Sequence, residues 1–167
     1  AAARATRPEN DLTGIPFITI DPASSTDLDQ ALHLERDGDG YRVRYAIADV
    51  PAFVEPGGAT DTEARLRGQT MYAPDGRIPL HPTVLSEGAA SLLEGVDRPA
   101  FVWTFALDAA GTVTATTLER ALVRSRRKCS YIDAQADIDA GTADASLALL
   151  PVIGELRLAL ERERGGA

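Results

Sequence analysis

One cysteine, two histidines and a deficit of positive charge set the first bounds on this chain of 167 residues. The single cysteine, Cys129, excludes an internal disulfide and fits a reducing, cytoplasmic setting. No apolar run approaches the ~20 residues that a membrane-spanning helix needs, so no membrane partner is expected. The N-terminal AAARATRPENDLTG lacks the apolar core of a signal peptide. Lys and Arg number 17 against 25 Asp and Glu, a net charge of −8. That balance argues against a general nucleic-acid coat protein. His33 and His81 lie too far apart to form a metal-ligand motif. There is no glycine-rich phosphate loop and no Ser-His-Asp or Cys-His arrangement. What remains is 44% hydrophobic and 25% charged, the composition of one globular domain with a sizeable core.

The chain divides by its local patterns. Residues 1–14 read as an irregular lead-in. FITI (17–20) has the β-branched and aromatic chemistry of a strand. ALHLER runs into DGDG (37–40), a hairpin signal, and YRVRYAIAD (41–49) returns. Tyr41, Val43 and Tyr45 alternate with Arg42 and Arg44, whose face is expected in solvent. His33 alternates with Ala31, opposite Leu32 and Leu34. DTEARLRGQTM (61–71) reads as a helix capped by Thr60 or Asp61. YAPDGRIPLHP (72–82) reads as loop. FVWTFALD (101–108) and TVTATTLERALVRS (112–125) form a second predicted hairpin, with Trp103 in the core. Residues 143–164 read as a helix. The expected class is α+β, antiparallel hairpins packed with helices.

The segment DPASSTDLDQAL (21–32) concentrates the chemistry. Asp21, Asp27 and Asp29 fall within nine positions directly after a strand. Like charges this close repel, and a hard divalent cation with oxygen ligands removes the penalty. Such an ion could bind a phosphodiester oxygen and activate water. Asp-Pro and Ser/Thr-Asp pairs are also turn formers and helix caps, so spacing alone leaves both readings open.

IDPASSTDLDQA resembles the signature of the ribonuclease II (RNB) family, roughly I-D-x-x-x-x-x-D-x-D-D-A. YAIADVPAFVEPGG, then TDTEARLRGQTMYAPDGRIPLHPTVLSEGAASLLEGVDRPAF, then ALVRSRRKCSYIDAQ resemble further segments of that family, in its order. The resemblance implies residues 15–167 as the N-terminal portion of an RNB-like catalytic domain. It implies a 3′→5′ exoribonuclease that hydrolyses single-stranded RNA to nucleoside 5′-monophosphates. Mg²⁺, or Mn²⁺, is the implied cofactor, with Asp21, Asp27 and Asp29 as catalytic residues and metal ligands. Gln30 stands where the family has a fourth acid, and offers an uncharged oxygen ligand. Tyr72 and Tyr131 match aromatics that contact the RNA 3′ end, where ring stacking on bases supplies affinity. The implied partners are RNA, a C-terminal half of the RNB domain and OB-fold domains. The alternative is an inactive RNB-like RNA-binding or scaffold module, for which Gln30 is the motive.

Other residues carry weaker signals. RSRRK (124–128) places four positive charges in five residues, and Arg126 and Arg127 are candidate RNA contacts. A solvated strand end is the competing reading. Asp49 suits a turn cap, His81 a structural loop, and Cys129 a packed, inert thiol. Arg98-Pro99 reads as structural.

Overall fold

A computed structural model of the chain describes residues 7–166. Residues 1–6 of the expected lead-in lie outside the described residues. The element order is β1 (Asn10–Asp11), β2 (Phe17–Ile20), β3 (Gln30–Asp37), β4 (Gly40–Ala48), α1 (Ala59–Arg67), β5 (Met71–Ala73), β6 (Gly76–Ile78), β7 (Asp97–Leu107), β8 (Val113–Cys129), α2 (Tyr131–Ala140) and α3 (Leu149–Glu163). The fold is α+β with a mostly antiparallel sheet. Among the described residues no helix is long and apolar enough to cross a membrane.

Six strands share the main sheet in the order β1-β8-β2-β3-β4-β7, and β8 also pairs with β7. Strand β8 therefore closes the sheet on itself. Its first part is antiparallel to β7, from Val113 opposite Leu107 to Arg124 opposite Asp97. Its last residues run parallel to β2, with Phe17 opposite Ser125 and Ile20 opposite Cys129. A two-residue strand inside the supposedly irregular lead-in adds to this ladder, with Asn10 opposite Ala121.

Closure of so few strands demands small interior residues. The inner cluster supplies Ala31, Ala46, Ala48, Ala100 and Ala121, wedged around Phe17, Leu28, Leu92, Val102 and Val123. On the outer side α2 and α3 cover the sheet. Ile18 and Cys129 meet Ala134 and Leu147, and Leu34, Tyr41 and Leu107 meet Ile153. Cys129 is buried, as expected, and burial raises its thiol pKa.

The β3–β4 hairpin forms as the sequence predicts, with Asp37 opposite Gly40. Gly38 takes φ 59° at the first turn position, which a side chain would resist. Gly40 has a different reason: a Cβ there would sit 2.0 Å from the Leu107 carbonyl oxygen. The Arg42 and Arg44 face is not free in solvent. Both guanidiniums donate to Glu35 Oε1, at 3.0 and 2.9 Å, and Arg44 is only 16% exposed. His33 packs edge-on to Phe17 with ring centroids 6.4 Å apart.

Other expectations shift. The helix expected over 61–71 runs Ala59–Arg67, follows Gly58 rather than a Thr60 or Asp61 cap, and stops at Gly68 with φ 74°. Asp61 instead accepts the Gly57 N–H from inside the first turn. Residues expected as loop over 72–82 contain a small hairpin, β5 against β6. A π-helical turn, Val84–Ala89, follows, closed by the Ala90 N–H on the Leu85 carbonyl. The helix expected over 143–164 starts only at Leu149, because Asp144 caps the preceding turn through the Ser146 and Leu147 N–H groups. Trp103 is half-buried rather than core, stacked on Phe105 at 6.1 Å.

Phe17 is wholly buried at the centre of the closed sheet. Phe17→Ala should destabilise the fold by about 3–5 kcal/mol. Urea unfolding followed by circular dichroism measures this; a loss below about 1 kcal/mol would contradict the packing described.

Candidate functional site

Strand β2 ends at Ile20 and delivers Asp21 to the mouth of the sheet. The Asp21 N–H donates to the Cys129 carbonyl at 3.1 Å, so the β2–β8 ladder fixes its backbone. The next residues turn, with the Ser25 N–H on the Pro22 carbonyl. Lys128 Nζ grips this turn from β8, donating to the Ala23 and Ser25 carbonyls at 2.8 and 2.5 Å. Leu28 is buried and acts as an anchor. Its N–H donates to Ser91 Oγ, whose hydroxyl donates to the Thr26 carbonyl. Its carbonyl accepts the Leu92 N–H at 2.7 Å. With Leu28 pointing inward, Asp27 and Asp29 on either side are turned outward. The Asp29 carbonyl accepts the Ala48 N–H, which ties the loop to the end of β4.

Charges within the loop act on Asp21 and Asp29. Burial raises the Asp21 pKa, and the charges of Asp29 and Asp27 add to the rise, with Lys128 opposing it. Asp29 is raised for the same reasons, first burial and then Asp27, against a backbone hydrogen bond. Asp29 borders a cavity of about 280 Å³ that it shares with Asp27, Thr70, His81 and Ser91. The Tyr45 hydroxyl, its pKa raised by burial and by the charges of Asp29 and Asp21, faces the same cluster. It donates to Gln30 Oε1.

This donor set is hard oxygen throughout, and its mutual repulsion is what a divalent cation relieves; in chemistry it fits such an ion. The side chains stand apart rather than closing on one point. Among the described residues no three His, Cys, Asp or Glu side chains converge as a ligand group. Two donors are otherwise engaged: Gln30 by Tyr45, and Asp27 Oδ2 by Arg77 Nη1 at 2.9 Å.

The remaining candidates surround this loop. Tyr131 opens α2, two residues beyond the carbonyl that holds Asp21, and is 59% exposed. Tyr72 lies on β5, opposite Arg77, and is 72% exposed. Arg126 donates to the Thr13 carbonyl, and Arg127 is ion-paired with Asp137, so both are intramolecularly engaged. Arg124 and Lys128 complete the basic run and are likewise engaged, by Asp97 and by the turn carbonyls. Asp49 is the turn cap expected: it is fully buried, accepts the Ala52 N–H and pairs with Arg120. Arg98 is structural, donating to the Gly88 and Ser91 carbonyls. His81 lines the acidic cavity with Nδ1 buried and unpaired.

Sequence reasoning missed Tyr45, Arg77 and Ser91, and read Lys128 only as part of a basic run, not as the grip on the acidic turn. Of the three missed, only Tyr45 had a local signal. Gln30 lies opposite Ile47, so Tyr45 is its diagonal neighbour on the same sheet face.

Comparison with known proteins decides the family. The RNB domain matches residues 9–164. The chain belongs to the RNB family. Ribonuclease R of Acidithiobacillus ferrooxidans is 40% identical over 134 residues, 80% of this chain and 30% of that protein. An Arabidopsis thaliana relative named inactive exonuclease DIS3L2 is 42% identical over 137 residues, 81% of this chain and 13% of that protein. Among solved structures, Mycoplasma genitalium RNase R in complex with double-stranded RNA superposes with a TM-score of 0.89 at 25% identity, over 96% of this chain and 30% of that one. The chain thus spans less than a third of the length of these RNB relatives.

The raised carboxyls have a consequence for stability. Both titrate above the 3.8 of an unperturbed aspartate. Between that value and their raised values the folded state holds more protons than the unfolded, so stability falls as pH rises through the window. Metal-free Asp21→Asn should therefore melt higher than the parent at neutral pH, by a few degrees at most. The gap should close as pH falls toward ordinary carboxyl values. Calorimetric melting in a chelator across acidic to neutral pH checks this, and a lower neutral-pH melting temperature for the variant would refute it.

Proposed function

We propose that residues 15–167 form the N-terminal portion of an RNB catalytic domain in a 3′→5′ exoribonuclease. The substrate would be single-stranded RNA, hydrolysed to nucleoside 5′-monophosphates. The observation that carries this reading is the electrostatic coupling of Asp21 to Asp27 and Asp29, the latter two lining one cavity, in an RNB fold. Membership of the family supports it, as do complexes of the superposing RNase R with double-stranded RNA and with ribose-methylated single-stranded RNA.

In this reading Asp21, Asp27 and Asp29 bind Mg²⁺ or Mn²⁺, with the Gln30 oxygen as a fourth, uncharged donor. The ion, when bound, would supply charge stabilisation to the reacting phosphate and a lowered pKa to water. The chain's own work is positional. Strand β2 and Lys128 fix Asp21, while Leu28 and Ser91 set the outward aim of Asp27 and Asp29. Exposed Tyr72 and Tyr131 offer rings on which bases stack, at about 1–3 kcal/mol each. Arg126 and Arg127 contribute to phosphate attraction only by giving up Thr13 and Asp137.

A second reading, an inactive RNA-binding module, rests on Gln30 and on the Tyr45 hydroxyl that occupies its oxygen. The relative named inactive shows that close similarity over this segment does not guarantee activity.

Asp29→Asn separates the two readings. It should slow metal-dependent shortening of a 5′-labelled RNA by about 100-fold or more, since several kcal/mol of charge stabilisation go with it. RNA affinity should stay within about twofold, because the loss falls on the transition state. Measured in the full-length protein, unchanged turnover would remove Asp29 from the site, and a full-length parent that cleaves nothing with either ion favours the inactive module.

Gln30→Asp adds a fourth carboxylate and should tighten Mn²⁺ binding in calorimetry. Tyr45→Phe, which frees the Gln30 oxygen without adding charge, should move affinity the same way by less. Equal affinities in all three proteins would exclude position 30 as a ligand.

A further inference from the structure

The segment from α1 to the π-helical turn is held differently from the rest of the molecule. Helix α1 buries no residue, and none of the six residues of β5 and β6 is buried. Leu66, Met71, Tyr72 and Ile78 lie in solvent. Apolar burial, which usually fixes an element in place, contributes little here. Polar ties do the holding. Within the segment, Arg67 donates to the Pro79 carbonyl at 2.8 Å, and the Leu80 N–H donates to Thr70 Oγ1.

The tie to the acidic loop is Arg77. Its Nη1 donates to Asp27 Oδ2 at 2.9 Å and its Nη2 to Glu87 Oε1 at 2.8 Å. Among the described residues these are the hairpin's ion pairs. All three side chains are about two-thirds shielded, Arg77 and Asp27 at 32% exposure and Glu87 at 30%. The other oxygen of Glu87 accepts from Thr26, inside the acidic loop. One guanidinium thus spans two carboxylates, a geometry that suits its fixed fork.

We propose that Arg77 is a positioning residue, an internal counter-cation that holds the β5–β6 hairpin on Asp27 and is displaced when a divalent cation binds the acidic loop. The inference rests on the metal-site reading of Asp21, Asp27 and Asp29. A guanidinium and a hard cation compete for the same carboxylate, and linkage makes the competition reciprocal: whatever weakens the arginine tie strengthens the metal, and the reverse. Displacement also frees the Arg77 guanidinium beside its cross-strand partner Tyr72, whose ring is already exposed. Metal loading would then present a free cation next to that ring to an incoming phosphodiester strand.

Two measurements test this. Calorimetric Mn²⁺ titration of Arg77→Gln should show affinity roughly two- to fivefold tighter than the parent, the range of a partly exposed ion pair. Glu87→Gln, which removes the second carboxylate holding Arg77 while leaving the amide oxygen to accept from Thr26, should shift affinity in the same direction by less. A hairpin that merely supports the site would give the opposite result, weaker binding in both variants. The second measurement uses the parent alone and so survives a variant that misfolds. Trypsin must take the Arg77 side chain into its own pocket, so cleavage after Arg77 reports its release. Cleavage there, referenced to cleavage after Arg65, should accelerate when Mn²⁺ is added. Asp27→Asn should accelerate it without metal. Equal or weaker Mn²⁺ binding by Arg77→Gln, or cleavage indifferent to Mn²⁺ in a parent that binds it, would overturn the role of Arg77 alone. Failure of parent and variant alike to bind Mn²⁺ would overturn the metal-site reading and this inference with it.

Discussion

Mutual repulsion among Asp21, Asp27 and Asp29 is the constraint that the surrounding structure answers. Left to itself, a loop with three carboxylates would spread, because separation lowers its Coulomb energy and nothing local opposes this. The fold opposes it by fixing the backbone at both ends and in the middle. Asp21 is tied to β8, Asp29 to β4, and Leu28 to Ser91 and Leu92. Burial of Leu28 and the closed sheet beneath it thus serve to keep like charges together. The carboxyl pKa values of Asp21 and Asp29 are raised first by burial and then by this repulsion.

The protein carries its own partial remedies. Lys128 lies beneath the first aspartate, Arg77 on the second, and the Tyr45 hydroxyl beside the third. None is a bound ion, and each is a side chain that can move. The loop is therefore neutralised well enough to fold and not so well that a divalent cation has nothing to offer. Gln30 fits this balance. An amide in place of a fourth carboxylate lowers the charge to be compensated, at some loss of attraction for a cation.

Much of this was legible in the sequence where the cause is local. FITI and the DGDG hairpin emerged because period-two alternation and turn chemistry act over a few residues. The acidic loop and its aromatics emerged from motif order. Helix α1 was misplaced because its sequence has no apolar stripe to fix its phase, and Gly68 stops it early. Strands β5 and β6 were invisible because each is three residues long, exposed and flanked by proline. The residues that hold the site were hidden by distance along the chain. Arg77 reaches Asp27 across 50 positions, Ser91 reaches Leu28 across 63, and Lys128 reaches Ser25 across 103. No window of sequence contains such pairs, and only the closed topology creates them.

The parallel ladder between β2 and β8 also sets an order in time. A ribosome releases Asp21 more than a hundred residues before Cys129, an interval of roughly 5–20 s at ordinary elongation rates. Until then the β3–β4 hairpin and its pairing with β2 can form, but β2 lacks the parallel partner that ties the Asp21 backbone. The acids thus wait for a strand made long after them before Asp21 is fixed. A nascent chain stalled before β8 would carry the full signature and have no site.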